Sequence, residues 1–264
     1  MPRPLPPPKP KLTWRRAGRL LAWSVIAAGI AWGGRSVNSF LLHDPRFELE
    51  CPAGAPSCAN LEIHGTVYAS RARIQSVFAQ DFGASVFHIP LAERRRRLLA
   101  VDWVNSASLS RVWPSRIVVN VTERAPAAFA KLPIGGSARY RFSLIDRDGV
   151  LLSLPPRVRF HLPVLSGVTE EQTEADRSAR VRAMQHLLDD IGPQARDISE
   201  INAANTLDLR LISEIDGHAV ELLIGDQNYR SRYLHFLSHY EEIRRHSDQA
   251  TVFDLRMDDR ILAK

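Results

Sequence analysis

Residues 20–42 read LLAWSVIAAGIAWGGRSVNSFLL, and this stretch determines how the rest of the chain is organised. Its single charged residue is Arg35. A helix of this length, rising about 1.5 Å per residue, can cross a hydrocarbon core of about 30 Å. Arg35 would lie near the outer end, where its long stem lets the guanidinium reach the headgroups. The stretch therefore predicts one transmembrane helix in contact with the lipid bilayer.

The residues before this helix carry the excess positive charge of the chain. Six cations and no acidic residue precede Leu20, namely Arg3, Lys9, Lys11, Arg15, Arg16 and Arg19. By the positive-inside rule, the Pro-rich tail of residues 1–19 is expected to stay in the cytoplasm, with the bulk of the chain outside. A cleaved signal peptide is the alternative, because small residues within 27–31 could form a cleavage site.

The rest of the chain is electrically neutral, with 29 basic and 29 acidic residues. It therefore has no net basic field to attract nucleic acid, and no nucleic-acid partner is expected. The sequence also lacks the nucleotide-binding, zinc-protease, serine-hydrolase and dithiol motifs. No catalytic residue, cofactor or metal site is predicted.

Two glycines inside the predicted span, Gly29 and Gly33, form the pattern G-x-x-x-G. This spacing puts two residues without side chains on one helix face, where a partner helix could approach closely. Small residues are also common in spans that make no such contact, so both interpretations stay open.

Cys51 and Cys58 are the two cysteines of the chain, and Pro52, Gly54 and Pro56 lie between them. Outside the cytoplasm a disulfide is stable, and the turn-forming residues make a short closed loop feasible. Metal binding would require further ligands at matched spacing, which His64 alone does not supply. We therefore favour a structural disulfide over metal or redox chemistry.

Residues 43–126 predict a first α+β domain with the element order β-α-β-α-β-β. Ser70 is a favourable N-cap for the first helix, and Pro90 opens the second. Residues 85–89 are short and apolar and are taken as the strand between them. The run of arginines at 94–97 lies on the second helix, where we expect a solvated face, with contact to anionic lipid headgroups as the alternative.

Residues 127–264 predict a second, mixed α/β domain with a largely antiparallel sheet. Asp148 and Gly149 form the turn of a hairpin. Alternating apolar residues predict strands near 207–211 and 220–224, and helical spacing of aromatic residues predicts a helix from about 228 to 245. A last strand is expected at 251–258.

Several short motifs of this sequence occur in the same order and at the same spacing as in a known family. They are Ile63-His64-Gly65, Ser85-Val86-Phe87, Asp102-Trp103-Val104, Ala107, Arg111-Val112-Trp113-Pro114 and Glu123-Arg124-Ala125-Pro126, followed by the Asp146–Gly149 turn, Leu162-Pro163-Val164-Leu165-Ser166-Gly167, Gly225 and Asp254-Leu255-Arg256. In this order, just after an N-terminal span, they resemble the FtsQ/DivIB cell division proteins. The resemblance implies a POTRA domain followed by the β-domain of that family.

The resemblance also implies a function and partners. These proteins are non-catalytic scaffolds at the division septum, so FtsB-like and FtsL-like single-span proteins are the expected partners. Through them the chain would act on the septal peptidoglycan synthase pair. Two alternatives from other classes are a POTRA-containing factor for outer-membrane protein assembly or secretion, and a membrane-anchored envelope enzyme with an unrecognised site.

The expected mode of partner binding is strand addition at the C-terminal edge of the second domain. The candidate contact residues are Phe253, Leu255, Arg256, Met257 and Ile261. Phe253 and Leu255 could instead be core residues, leaving only their backbone to a partner. Asp258, Asp259 and Arg260 are suited to protect such an edge from self-pairing. The family usually has an aromatic residue and a glycine-containing turn after Asp-Leu-Arg, and this chain departs from that pattern.

Overall fold

The computed structural model describes residues 14–51, 58–135, 139–246, 249–257 and 260–263, without the side chains of residues 14–17. The chain divides into two compact units. The first contains the chain up to Thr66, Ser70–Val101 and Ser106–Val121; the second contains Val67–Ala69, Asp102–Asn105 and the chain from Thr122 onward. Most of the predicted Pro-rich tail lies outside the described residues.

The predicted transmembrane stretch is one continuous helix, α1, at Trp14–His43. Within the described residues, its segment Gly18–His43 is the one helix long and apolar enough to cross a membrane. Its large apolar side chains, such as Trp23, Ile30 and Trp32, are exposed on the isolated chain. In the part of the chain that the structure describes, no atom outside the helix comes close to Gly29 or Gly33.

The first unit follows the predicted element order with one exception. Its elements are a 3-10 helix at Pro45–Phe47, β1 at Leu61–His64, α2 at Arg71–Ser76, α3 at Leu91–Leu98, β2 at Val104–Val112 and β3 at Arg116–Glu123. The described strands form a sheet in the order β1-β3-β2, in which β1 runs parallel to β3. The Ser70 hydroxyl accepts a hydrogen bond from the Arg73 N–H, which confirms the predicted N-cap of α2.

The exception is the strand expected at residues 85–89. Ser85 makes one isolated bridge with Glu48, and the chain then turns instead of extending. The Arg111 guanidinium donates to the carbonyl oxygens of Val86 and Ile89 at 2.7 and 2.5 Å. The Arg111 side chain thus satisfies backbone carbonyl groups that would otherwise pair with a neighbouring strand. This segment therefore needs no strand pairing to satisfy them.

The arginine run on α3 is not a uniformly solvated face, so that expectation is wrong for Arg94. Arg94 is 5% exposed and donates two hydrogen bonds to the Asp81 carboxylate, at 2.6 and 2.9 Å. This hydrogen-bonded partner raises the pKa of the Arg94 guanidinium. The reason is spacing, because position 94 lies one turn from the buried Leu98 on the same helix face. The Arg95 guanidinium donates to the Ala107 carbonyl, and the Arg97 guanidinium donates to the Glu93 carboxylate.

The two cysteines form a disulfide, with Cα atoms 4.7 Å apart. The side-chain amide of Gln75, at the end of α2, lies 2.8 Å from Sγ of Cys58 and 3.3 Å from Sγ of Cys51. The residues between the cysteines, where the turn was expected, lie outside the described residues.

The second unit is a mixed α/β structure around a large sheet. Its strands are β4 at Pro126–Pro133, β5 at Tyr140–Asp146, β6 at Leu151–Leu152, β7 at Val164–Ser166, β8 at Ile198–Asn202, β9 at Leu209–Ile215, β10 at His218–Gly225, β11 at Val252–Asp254 and β12 at Leu262–Ala263. Its helices are α4 at Glu174–Ile191 and α5 at Tyr229–His246, with a 3-10 helix at Gly192–Asp197. The described strands are ordered β12-β11-β10-β9-β8-β7-β4-β5-β6, and most neighbours are antiparallel.

The core of this unit lies between the sheet and its two long helices. Val181, Met184 and Ile191 of α4 are buried with Tyr233 and Phe236 of α5 against the apolar side chains of the sheet. The Tyr233 hydroxyl lies 2.8 Å from the Ser213 hydroxyl, so its polar end has a partner. Burial raises the pKa of Tyr233 above its ordinary value.

Three strands in this sheet, β4, β8 and β12, were not expected from the sequence. A proline after Glu123-Arg124 favours an end to strand pairing, but Pro126 begins β4, which is hydrogen-bonded to both β5 and β7. Proline is tolerated as the first residue of a strand, because the missing N–H removes no bond inside the ladder. The second unexpected strand is β8, which lies between β7 and β9.

Candidate partner-binding edge

One end of the large sheet is formed by the last described residues of the chain. β11 pairs in parallel with β10, so that Leu222 lies opposite Phe253. β12 then pairs antiparallel with the other side of β11, placing Ala263 opposite Phe253 and Leu262 opposite Asp254. Both sides of β11 are therefore occupied. Among the described strands, the terminal edge of the sheet is β12.

The strand expected at 251–258 ends at Asp254 because the Asp254 side chain turns back on the following residues. Its carboxylate accepts from the Arg256 backbone N–H at 3.2 Å and from the Arg256 guanidinium at 2.8 and 2.6 Å. An aspartate that binds the backbone two residues later forms a turn and competes with the strand ladder. The chain then leaves the sheet before it returns as β12.

The five predicted contact residues have different environments. Phe253 and Leu255 are buried in the core; the Phe253 ring lies 5.0 Å from that of Phe236, and the Leu255 N–H donates to the Leu223 carbonyl. Met257 is 51% exposed, and Ile261 is partly buried. Arg256 remains partly exposed beside Asp254. The side chains of Arg256, Met257 and Ile261 are therefore at least partly accessible at the surface, whereas Phe253 and Leu255 belong to the core beneath it.

A small cleft of about 110 Å³ lies beside this edge. Leu255, Met257 and Ile261 form one side, and Ser231, Arg232 and His235 of α5 complete the lining. The three α5 residues were not predicted. The sequence did contain one indication of them, because positions 231 and 235 are one helical turn apart and therefore lie on the same face of the predicted helix. The cleft combines apolar walls with polar donors, so it can receive a side chain that carries a polar end.

Glycine at position 225 permits the close packing behind the cleft. Gly225 has φ of +81°, and a Cβ atom there would lie 2.9 Å from the Arg232 guanidinium and 3.4 Å from Cγ of Arg256. The Arg232 guanidinium itself donates to the Ile224 carbonyl at 2.8 Å. The glycine thus allows two arginine side chains to cross the end of β10.

The charges at this edge are held in fixed pairs. The hydrogen bonds that the Arg256 guanidinium donates to the Asp254 carboxylate raise the pKa of Arg256, and Asp208 lies 3.4 Å from the same guanidinium. The guanidinium is therefore a permanent, oriented cation. Asp258 and Asp259, expected to guard the edge, lie outside the described residues. Within the described residues, no group of three or more histidine, cysteine, aspartate or glutamate side chains could hold a metal ion.

Comparison with known proteins gives the same assignment for both parts of the chain. Residues 57–124 match the family described as "POTRA domain, FtsQ-type", and residues 138–256 match "Cell division protein FtsQ/DivIB, C-terminal". A cell division protein FtsQ from Koribacter versatilis is 31% identical over 265 residues, covering 98% of this chain and 72% of the relative. The chain belongs to the FtsQ/DivIB family of cell division proteins.

More distant FtsQ relatives extend over most of the same length. FtsQ from Geobacter sp. (strain M21) is 24% identical and covers 98% of this chain and 93% of the relative. FtsQ from Myxococcus fulvus is also 24% identical, covering 83% of this chain and 74% of the relative. The match to the FtsQ/DivIB C-terminal family ends at Arg256, so Met257, Ile261 and β12 lie beyond it. This is the region where the sequence departs from the family pattern.

Proposed function

We propose that this FtsQ-family chain is a non-catalytic scaffold of the bacterial division machinery. Its α1 helix anchors it in the cytoplasmic membrane, with the N-terminus in the cytoplasm and both folded units outside, at the division septum. There it binds FtsB-like and FtsL-like single-span proteins and, through them, regulates the septal peptidoglycan synthase pair. Membership of a cell division family and an apolar N-terminal helix support this proposal.

The observation that carries the proposal is the β12 edge. Leu262 and Ala263 pair with β11 on one side, and β12 is the end of the described sheet. An extended partner segment can pair with the other side through backbone hydrogen bonds, while its alternate side chains give selectivity. The exposure of Met257 and the adjacent cleft support this mode of binding.

Proline substitution in β12 tests strand addition directly. Consecutive backbone N–H groups of a strand point to opposite sides, so Leu262→Pro and Ala263→Pro remove donors from different sides of β12. One variant should weaken binding of the FtsB-like partner to the full-length protein by about tenfold or more, which corresponds to about 1.4 kcal/mol. Affinity is measured by calorimetry in detergent, and folding by circular dichroism. The same variant should fail to restore septa in cells depleted of the native chain.

The matched control is Leu151→Pro in β6, which forms the opposite end of the described sheet. This variant changes an edge strand in the same way but should leave partner affinity unchanged. Leu262→Thr keeps the backbone donor and should retain most of the binding. If both β12 proline variants fold and bind with native affinity, strand addition at this edge is wrong.

A further inference from the structure

The first unit contains an aromatic cluster that the division scaffold proposal does not use. Phe47, in the 3-10 helix, is 2% exposed and lies at the centre. Its ring is 5.6 Å from that of Phe40, 5.6 Å from that of Phe87 and 5.5 Å from that of Trp113. One buried ring therefore joins the last turns of α1, the 85–89 segment and the turn between β2 and β3.

The residues around this centre are exposed, unlike Phe47 itself. Trp113 is 71% exposed, Phe40 is 48% exposed, and Phe87 and the neighbouring Val112 are each exposed by more than a third. We call Phe40, Phe87, Val112 and Trp113 the aromatic patch. A tryptophan with most of its surface in solvent is uncommon, and exposed apolar side chains grouped in this way indicate a binding face.

Hydrogen bonds hold the aromatic patch in place on the end of α1. The Ser85 hydroxyl donates to the Leu41 carbonyl of α1 at 2.7 Å. Arg111, on β2, donates to the carbonyls of Val86 and Ile89 on either side of Phe87. These polar groups are satisfied internally, so the patch presents rings in a defined arrangement.

The position of the patch identifies what it contacts. Phe40 belongs to the segment Gly18–His43 that is long and apolar enough to cross a membrane, and it lies three residues from the end. Phe47 lies between Trp113 and Phe40, and its ring contacts the rings of both. If α1 crosses a bilayer, Phe40 lies at the boundary of the hydrocarbon core, and Trp113 must lie in or beside the headgroup layer. Tryptophan is enriched at this depth because its ring is apolar and its N–H is polar.

Arg46 lies beside the patch, in a bidentate pair with the Asp44 carboxylate. The Arg46 guanidinium is 5.3 Å from the centroid of the Phe40 ring, and most of the Arg46 side chain is exposed. It can therefore approach phosphate groups while the neighbouring rings enter the interface.

We propose that the aromatic patch inserts into the outer interfacial layer of the same bilayer that α1 crosses. The ligand is the phospholipid surface itself, and the inference rests on the proposed membrane anchoring. A helix alone fixes the unit at one point and leaves its tilt free. Insertion of Trp113 and Phe87 gives a second contact, which fixes the orientation of the first unit on the membrane.

Spin labels on the full-length protein in phospholipid nanodiscs test this proposal. The native cysteines form a disulfide, so a label reacts with a single introduced cysteine. Trp113→Cys and Val112→Cys report on the patch. Ile26→Cys reports on the span, and Leu99→Cys is a control of similar exposure and apolarity in the same unit. Collision rates with oxygen and with a water-soluble nickel complex give the depth of each label, and circular dichroism verifies folding.

We expect the oxygen-to-nickel collision ratio to be highest at 26, intermediate at 112 and 113, and lowest at 99. A label at 26 in the bilayer with aqueous labels at 112 and 113 would overturn the patch proposal and leave the anchor intact. Equal lipid exposure at 99 and 113 would also overturn it, because the contact would then not be specific to the patch. An aqueous label at 26 would instead contradict the membrane anchoring. If labels at 112 and 113 are immobilised but shielded from both reagents, the patch binds protein rather than lipid.

Discussion

Within the residues that the structure describes, both units contain the same three-residue arrangement, at Asp44–Arg46 and at Asp254–Arg256. In both, the carboxylate accepts from the arginine backbone N–H two residues later and forms a bidentate pair with its guanidinium. In both, a buried phenylalanine is adjacent, Phe47 after the first motif and Phe253 before the second. The two motifs make the same hydrogen bonds, so the difference in role between them is sought in their surroundings.

The surroundings differ in the further contacts that each arginine side chain makes. Arg46 lies over the exposed Phe40 ring at the end of α1, whereas Arg256 reaches a second carboxylate, Asp208, and lies against the end of β10. The Asp44 motif follows α1 and begins a 3-10 helix; the Asp254 motif ends a strand. One motif thus lies beside the surface proposed to act through side chains, and the other lies beside the strand edge proposed to act through its backbone.

Removing the buried phenylalanine beside each motif should have the largest effect. Phe253→Ala and Phe47→Ala each leave a cavity and should lower the free energy of unfolding of their own unit by about 3–5 kcal/mol. Hydrogen–deuterium exchange on the full-length protein, with denaturant titration, can assign each loss to its unit. Phe253→Ala should also abolish binding of the FtsB-like partner, because β11 and β12 lose their support.

Phe47→Ala should instead leave partner affinity unchanged and alter the depth of a label at position 112. If Phe47→Ala weakens partner binding as strongly as Phe253→Ala does, the two surfaces are not independent and the comparison fails.

Removing the aspartate carboxylate of each motif should lower stability less than removing the phenylalanine does. The loss should also differ between the two motifs. Asp254→Ala deletes three hydrogen bonds at a side chain that is mostly buried, and should destabilise the second unit by about 1–2 kcal/mol. Partner affinity should fall with it, because β11 no longer ends at a fixed position. Asp254→Asn keeps an acceptor for the Arg256 backbone N–H and should therefore lose less stability and less partner affinity than Asp254→Ala. Thermal unfolding and calorimetry measure both quantities.

Asp44→Ala is the matched variant in the first unit. Since Arg46 is largely exposed, water replaces the lost contacts there, and stability should change less than in Asp254→Ala. An equal loss from both variants would show that the surroundings do not decide the role of the motif.

The parts of the fold that follow a simple period could be predicted from the sequence. The alternation of Leu209 and Leu211 predicted β9, and the helical spacing of Tyr229, Tyr233 and Phe236 predicted α5. β8 could not be found in this way, because a register shift between Ile198 and Glu200 breaks the period of two. In β4 the inward residues 128 and 130 are alanines, whose weak hydrophobicity gives little contrast.

The candidate edge was only partly predictable for a different reason. Residues 253–257 alternate as a strand should, but whether the strand continues past Asp254 depends on where one carboxylate points. The two residues of β12 are too few to give a pattern, although their pairing places them at the edge of the sheet. The aromatic patch was also not predicted, because its three rings lie far apart in sequence and come together only around Phe47.

The smallest expected effect concerns the protonation of Asp44. The hydrogen bond from the Arg46 side chain lowers the pKa of the Asp44 carboxyl below its ordinary value. A lowered pKa means that the pair contributes stability above the unfolded-state value of about 3.9, and loses it as the pH falls through the folded-state pKa. Between pH 5 and 8 the motif should therefore not respond to pH. Carbon NMR of the labelled carboxyl should give a midpoint below the ordinary value in the native chain and a return toward it in Arg46→Ala. A midpoint unaffected by Arg46→Ala would mean that the Asp44 motif is not closed in solution, and the likeness to the Asp254 motif would then hold in sequence but not in structure.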